Sequence, residues 1–247
     1  MAVEPPVSAA ACVTIPVVAH RGGLERWAEN SGNAYRDASN QGAGVWETDV
    51  RFTSDDVPVI MHDPEVDRTT DGTGLVADLT YAQVAALRTA DGQPVPTLTQ
   101  LINDAAVDGP RLLVELKTVP TPAQWATFNA ALASRPGVAS RVLLMSFEVQ
   151  ALVGATQYAP ALTRGLLQSV GDTDPAAVTP YAKILIKHVN AITAARMTKW
   201  KGAGLTVYAW TVNTSSEWER MTWYPGMAGV ITDQPGAYLA WQKSRTC

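Results

Sequence analysis

The sequence predicts a closed barrel of eight parallel strands alternating with helices, the TIM-type (β/α)8 architecture. Three observations carry that expectation. Short β-branched or apolar runs recur along the 247 residues, with alanine-rich or amphipathic stretches between them, which is the alternation of an α/β domain. Helix breakers mark the joints, among them Gly42, Gly44, Gly109-Pro110, Pro136-Gly137, Gly202 and Gly204. The length also matches the roughly 250 residues typical of such barrels. An open doubly wound sheet is the competing arrangement. No G-x-G-x-x-G fingerprint follows the first strand, which weighs against it. No internal repeat or low-complexity linker divides the chain, so residues 1–247 read as one domain behind an extended tail at 1–12.

In chain order, strands are expected near 13–20, 45–52, 111–117, 142–147, 162–168, 182–187, 205–211 and 229–232. An extra short strand, VPVIM, falls at 57–61 after the second. Helices are expected in NAYRDASNQ, LTQLINDAAV, PAQWATFNAALAS, EVQALVGATQYA, ITAARMTKWKG and SSEWERMTW.

Polar groups interrupt or end four of these apolar runs: His20-Arg21, Glu47-x-Asp49, His62-Asp63 and Glu115-x-Lys117. A strand alternates faces at every residue, so Glu47 and Asp49 share a face, as do Glu115 and Lys117. Charges are rarely buried unless they are paired or bind a metal. In a barrel, residues at the C-terminal strand ends and in the loops that follow converge on one mouth. Glu47, Asp49 and Glu115 offer only oxygen, the donor set of Mg²⁺ or Ca²⁺ rather than zinc. His20 and His62 are suited to taking and giving protons near neutrality. Arg21 and Lys117 are candidates to hold phosphate oxygens, and ordinary ion pairs with the carboxylates are the alternative for them. His188, without acidic neighbours in ILIKHVNAIT, reads as structural.

Bulk charge excludes other classes. The net charge is −4, with 19 basic and 23 acidic residues mixed along the chain, so there is no basic footprint for nucleic acid or polybasic membrane anchor. No stretch approaches the roughly 20 apolar residues of an integral membrane segment. The start lacks a basic region followed by an apolar one and reads as a mature terminus behind an initiator Met. The two cysteines, Cys12 and Cys247, would sit on neighbouring first and last elements of a closed barrel. A Cys12–Cys247 disulfide is therefore expected, and with it a secreted or extracytoplasmic setting.

The ordered motifs HRG, EN, GAG-x-x-E-x-D-V, T-x-D, VPVIMHDP, DRTTDGTG, VPTL, LLVELK, WTVN and GVITDQP run from His20 to Pro235. Together they resemble the glycerophosphodiester phosphodiesterase family. The resemblance implies a TIM-type barrel that hydrolyses glycerophosphodiesters to sn-glycerol 3-phosphate and an alcohol, using one divalent cation, Mg²⁺ or Ca²⁺. It implies catalytic roles for His20 and His62, and metal ligation by Glu47, Asp49 and Glu115. Arg21 and Lys117 match phosphate-side positions, and Glu29 matches an acidic position near the metal. Trp210, in AWTVN, matches a substrate-contacting aromatic at the rim; a core tryptophan of the seventh strand is its other reading.

One departure bears on substrate. The family often carries a sizeable cap after the second strand, whereas here residues 63–96 form a short insertion with one expected helix, TYAQVAALR. A more open mouth, with Leu24, Trp27 and Phe147 as apolar rim candidates, would admit a lysophospholipid. Lysophospholipase D activity, by direct hydrolysis or through a cyclic phosphate, is thus the second expectation. A non-catalytic phosphodiester-binding barrel is the third. The expected partner is a small molecule and not nucleic acid, with a monomer favoured.

Overall fold

Closure of the sheet brings residues scattered along the chain to a single mouth. The structure, a computed structural model, describes residues 13–245. In chain order the elements are β1 (Val17–Ala19), α1 (Gly32–Gln41), β2 (Val45–Phe52), β3 (Pro58–Ile60), α2 (Tyr81–Ala86), α3 (Leu98–Asp108), β4 (Arg111–Leu116), α4 (Pro122–Ala133), α5 (Pro136–Ala139), β5 (Val142–Ser146), α6 (Val149–Tyr158), β6 (Thr163–Gln168), α7 (Pro175–Val178), β7 (Ile184–His188), α8 (Ala194–Gly202), β8 (Thr206–Trp210), α9 (Ser215–Thr222), β9 (Met227–Thr232) and α10 (Pro235–Ser244). All strands but β3 are parallel, and β1 closes the circle. Val18 lies opposite Ile231 of β9, and Ala19 lies opposite Trp46 of β2. Beyond the point where β1 ends, β3 takes the free edge of β2 antiparallel, with Val50 opposite Ile60.

Strand alternation divides the core in two. Val18, Leu113, Met145, Leu167, Ile186 and Ile231 point inward and fill the barrel. Their neighbours Val17, Leu112, Leu144, Leu166, Leu185 and Val230 point outward and pack under the helices. Buried on both faces, the strands read as apolar runs rather than as a polar–apolar alternation, which is the signature of a parallel sheet. Val66, Val76, Val84 and Val95 of the insertion form a small core of their own with Val59 and Met61 of the β3 segment. The insertion therefore sits as a fixed cap beside the mouth.

Local chemistry explains most helix starts. Thr80, Thr97, Thr121 and Thr214 each form a reciprocal capping box with Gln83, Gln100, Gln124 and Glu217, respectively. Such a cap is worth about 1 kcal/mol. Besides the short helices α5 and α7, two features differ from the sequence expectation. The first strand is shorter than 13–20, because Pro16 can accept from Val230 but has no N–H to give to the ladder. The last described element is also a helix, α10, that Pro235-Gly236 disguises as a turn; proline fits the first helical turn, where its missing N–H costs nothing. Tyr238 and Gln242 of that helix donate to the Ile15 carbonyl at 2.9 and 2.8 Å, fastening the last element to the segment before β1. Cys12 and Cys247 lie outside the described residues. Among the described residues, no helix is long and apolar enough to cross a membrane.

Candidate active site

The β2–β4 register sets the floor of the site. Glu47 is opposite Leu113 and Asp49 is opposite Glu115, and Leu113 points into the barrel, so all three carboxylates do as well. Each is buried, and one oxygen from each lies within 4.8 Å of the others. Lys117, just past β4, places Nζ 2.8 Å from Glu115 Oε1 and 3.0 Å from Asp49 Oδ1.

The turn after β1 supplies the second cation. Arg21 sits at φ 52°, a left-handed conformation strained for a side-chain-bearing residue, and Gly22 follows at φ 84°. A Cβ on Gly22 would meet the Ala34 Cβ at 2.8 Å, so glycine is required there. The strained turn aims the Arg21 backbone N–H at Glu47 Oε2, 2.8 Å away. It also directs the guanidinium between Glu29, at 3.0 Å, and Asp49, at 3.3 Å. Asn30 donates to Asp49 Oδ2 at 2.9 Å and is itself held by Tyr35 Oη at 2.8 Å.

Burial raises the affinity of a carboxyl for its proton, and neighbouring charge decides whether that effect wins. At Asp49 burial is outweighed by Lys117 and Arg21, and its carboxyl is held down at about 2. At Glu115 burial wins against Lys117, with Asp49 adding repulsion, and the group is pushed up to about 7. Glu47 is raised well above the ordinary range by burial and by its two acidic neighbours. Three buried carboxylates thus share two cations, and Asp49 Oδ1 has no well-aligned hydrogen-bond donor despite its proximity to Lys117. An all-oxygen cluster with unmet charge and an orphaned oxygen fits a hard divalent cation.

Two histidines face the same cavity, each tied by Nδ1 to a carboxylate. His20 Nδ1 is 2.5 Å from Asp233 Oδ1, and Asn213 donates to the other Asp233 oxygen at 2.6 Å. His62 Nδ1 is 2.6 Å from Asp63 Oδ1. At Asp233 the histidine and Asn213 outweigh burial and lower the carboxyl pKa; at Asp63 Arg68 is the main cause of the lowering, with His62 adding to it. Ionised carboxylates only accept, so both Nδ1 atoms must carry hydrogen, leaving Nε2 to exchange a proton. Burial lowers the His62 pKa and keeps its ring neutral to lower pH.

The cavity, about 100 Å³, is lined on one side by His20, Arg21, Glu47, His62, Glu115 and Lys117. Met145, Phe147, Leu167, Trp210 and Ile231 line the remainder. Trp210 is thus a wall of the cavity rather than a core tryptophan. It packs edge-on against Phe147 at 5.4 Å and against His188 at 5.5 Å. His188 accepts the Asn190 N–H at 3.3 Å, a turn-capping role that agrees with its structural reading. Glu29 stands one residue behind the carboxylate floor, holding Arg21.

Sequence reasoning left Asp63, Arg68, Asn213 and Asp233 without roles. All four lie inside the motifs HDP, DRTTDGTG, WTVN and GVITDQP, which was the available signal.

Residues 20–237 match the model of the glycerophosphoryl diester phosphodiesterase family. A glycerophosphodiester phosphodiesterase of Caldanaerobacter subterraneus is 30% identical over 230 residues, covering 89% of this chain and 94% of the relative. Human glycerophosphodiester phosphodiesterase 1 is 43% identical over 97 residues, 36% of this chain; the match spans only 29% of the length of that relative. Among solved structures, an Oleispira antarctica phosphodiesterase in complex with the product sn-glycerol-3-phosphate superposes with a TM-score of 0.83 at 27% identity, covering 93% of this chain and 97% of the other.

Proposed function

The chain belongs to the glycerophosphoryl diester phosphodiesterase family, and from that premise we propose that it hydrolyses glycerophosphodiesters to sn-glycerol 3-phosphate and an alcohol. The observation that carries the reading is a pair of histidines, each with Nδ1 committed to a carboxylate, lining a cavity over three buried acids. A pure phosphodiester binder has no use for two such proton-exchanging rings.

Glu47, Asp49 and Glu115 would hold one Mg²⁺ or Ca²⁺, which when bound supplies positive charge to the phosphoryl group. Arg21 and Lys117 line the cavity and add fixed positive charge toward the same oxygens. One histidine Nε2 takes the proton of the attacking hydroxyl, from water or from the neighbouring hydroxyl of the glycerol. The other, protonated at Nε2, gives its proton to the departing alkoxide. In the first route, water adds across the P–O bond directly. In the second, a cyclic phosphate forms and water opens it, with the histidine roles exchanged. Glu29, by holding Arg21, keeps the guanidinium aimed at the site.

The apolar wall, with Phe147 half-exposed at the cavity and Leu24 and Trp27 exposed in the segment after β1, favours a second reading, cleavage of lysophospholipids. Purified protein offered glycerophosphocholine, glycerophosphoethanolamine and their lyso forms, with products resolved by phosphorus NMR, distinguishes these readings. Release of sn-glycerol 3-phosphate from the deacylated substrates supports the first. Turnover confined to the lyso forms replaces it with the second, and no turnover with either cation sinks both. We further infer an extracytoplasmic setting from Cys12 and Cys247. Two alkylatable thiols in the native protein would reject the bridge on which that setting rests.

A further inference from the structure

The motif DRTTDGTG is not used by the chemistry above, yet its arginine touches both arms of the site. Arg68 Nε donates to Asp63 Oδ2 at 2.5 Å, while the other oxygen of Asp63 holds His62. The two terminal nitrogens of Arg68 donate to both oxygens of Glu29, at 2.9 and 2.7 Å, and Glu29 in turn holds Arg21. One guanidinium therefore joins a histidine of the cap to the phosphate-side arginine of the barrel.

The rest of the motif builds the turn that presents it. Val66 is buried in the cap core, and its carbonyl accepts from Thr70 Oγ1 at 2.7 Å. Asp67 accepts the Gly74 N–H at 2.9 Å. A Cβ on Gly72 would meet Leu87 at 2.6 Å, so glycine lets the turn close on the cap helix. Arg68 is left standing out of this turn, half-exposed, over the edge of the mouth.

We propose that Arg68 is a positioning residue that sets His62 and Arg21 in register with each other. This rests on the functional reading of those two residues given above. An isolated surface ion pair is worth little. Here the fork is bidentate to Glu29, whose side chain is only 9% exposed, and the same planar group is fixed at its other edge by Asp63. Lysine offers a point charge and cannot occupy both edges at once. The cap side thus carries His62 and also the side chain that ties it to the barrel, and the barrel alone presents only half of the arrangement.

Arg68→Ala, Arg68→Lys and His62→Ala, each with its melting temperature, and the Arg68→Ala/His62→Ala pair are assayed on glycerophosphocholine. Arg68→Ala is expected to lower kcat about 10- to 100-fold and to raise KM, with the melting temperature nearly unchanged. Added guanidinium is expected to restore part of that loss, and Arg68→Lys is expected to remain impaired. Removing Arg68 from the His62→Ala enzyme should lower its residual kcat by less than it lowers the wild-type value, the remaining loss coming through Glu29 and Arg21. Wild-type kinetics in Arg68→Ala, or a kcat loss that guanidinium leaves untouched and that adds in full to the loss from His62→Ala, overturns the proposal. Full turnover by His62→Ala alone instead overturns the reading of the site on which it rests.

Discussion

The mouth of the barrel has two unlike halves. The ends of β1, β2 and β4 carry His20, Arg21, Glu47, Asp49, Glu115 and Lys117, packed into a network in which three carboxylates share two cations. The ends of β5, β6, β8 and β9 present Met145, Phe147, Leu167, Trp210 and Ile231 to the same cavity. The backbone geometry is the same in both halves, a strand end facing a central cavity, and only the side chains differ. On the proposed reading, one half has the groups that would change bonding at phosphorus. The other has shape and apolar surface, which can distinguish the alcohol but cannot move a proton. Damage to the first should appear in kcat, and damage to the second in KM and substrate preference.

The sharpest test of that division is removal of an imidazole. His20→Ala or His62→Ala is expected to lower kcat by about 10²–10⁴-fold in steady-state assays while the thermal melt changes little. A large drop in melting temperature with retained turnover would move these residues from chemistry to structure.

The carboxylate floor should show its purpose in stability as well as rate. Chelation is expected to silence turnover, and Mg²⁺ or Ca²⁺ to restore it. Glu115 titrates near about 7 in the fold because of burial, with Lys117 opposing and Asp49 reinforcing. An exposed glutamate titrates near about 4.3. The folded protein therefore keeps a proton that the unfolded chain has lost, so metal-free stability falls as pH rises between those values. Thermal melts in chelator should decline from pH 5 to pH 7.5 by way of this group, and a bound cation should reduce the decline. Identical slopes with and without cation would exclude Glu115 as a ligand.

A gentler change tests the apolar half. Trp210→Ala is expected to raise KM roughly tenfold for some alcohols, about 1.4 kcal/mol, with kcat within a few-fold of wild type. A collapse of kcat equal to that of the histidine variants would erase the distinction between the halves. The smallest effect should come at acid pH. Asp233 and Asp63 have folded pKa values below the ordinary aspartate value, through their contacts with His20 and Asn213 and with Arg68 and His62. Their contribution is present above about pH 3.9 and is lost as pH falls through the folded values. Asp233→Asn should therefore flatten the acid limb of a stability–pH curve, and an unchanged limb would refute the assignment.

Much of this was legible in the chain. The two-residue spacing of Glu47 with Asp49, and of Glu115 with Lys117, fixes a common face in any strand, and alternating strands and helices point to a parallel sheet, with the missing G-x-G-x-x-G favouring the barrel. Histidine next to a strand end marks the mouth. What the chain could not show is which carboxylate stands behind each imidazole. Asp63 is adjacent in sequence to His62, but Asp233 lies 213 residues from His20. That pairing exists because β1 and β9 meet when the sheet closes, a consequence of the whole circle and of no local pattern. The same holds for Arg68, whose reach across to Glu29 depends on how the cap core seats on β3.

The amino-acid order by itself determined the strand faces, the capping boxes and the identity of the acids and bases, since these follow from periodicity and side-chain chemistry within a few residues. Only the tertiary structure decided which proton each histidine keeps, how far burial moves each carboxyl, and that Trp210 faces the cavity. Those properties depend on distances and exclusion of water among groups brought together by long-range closure, and neither quantity is written in local sequence.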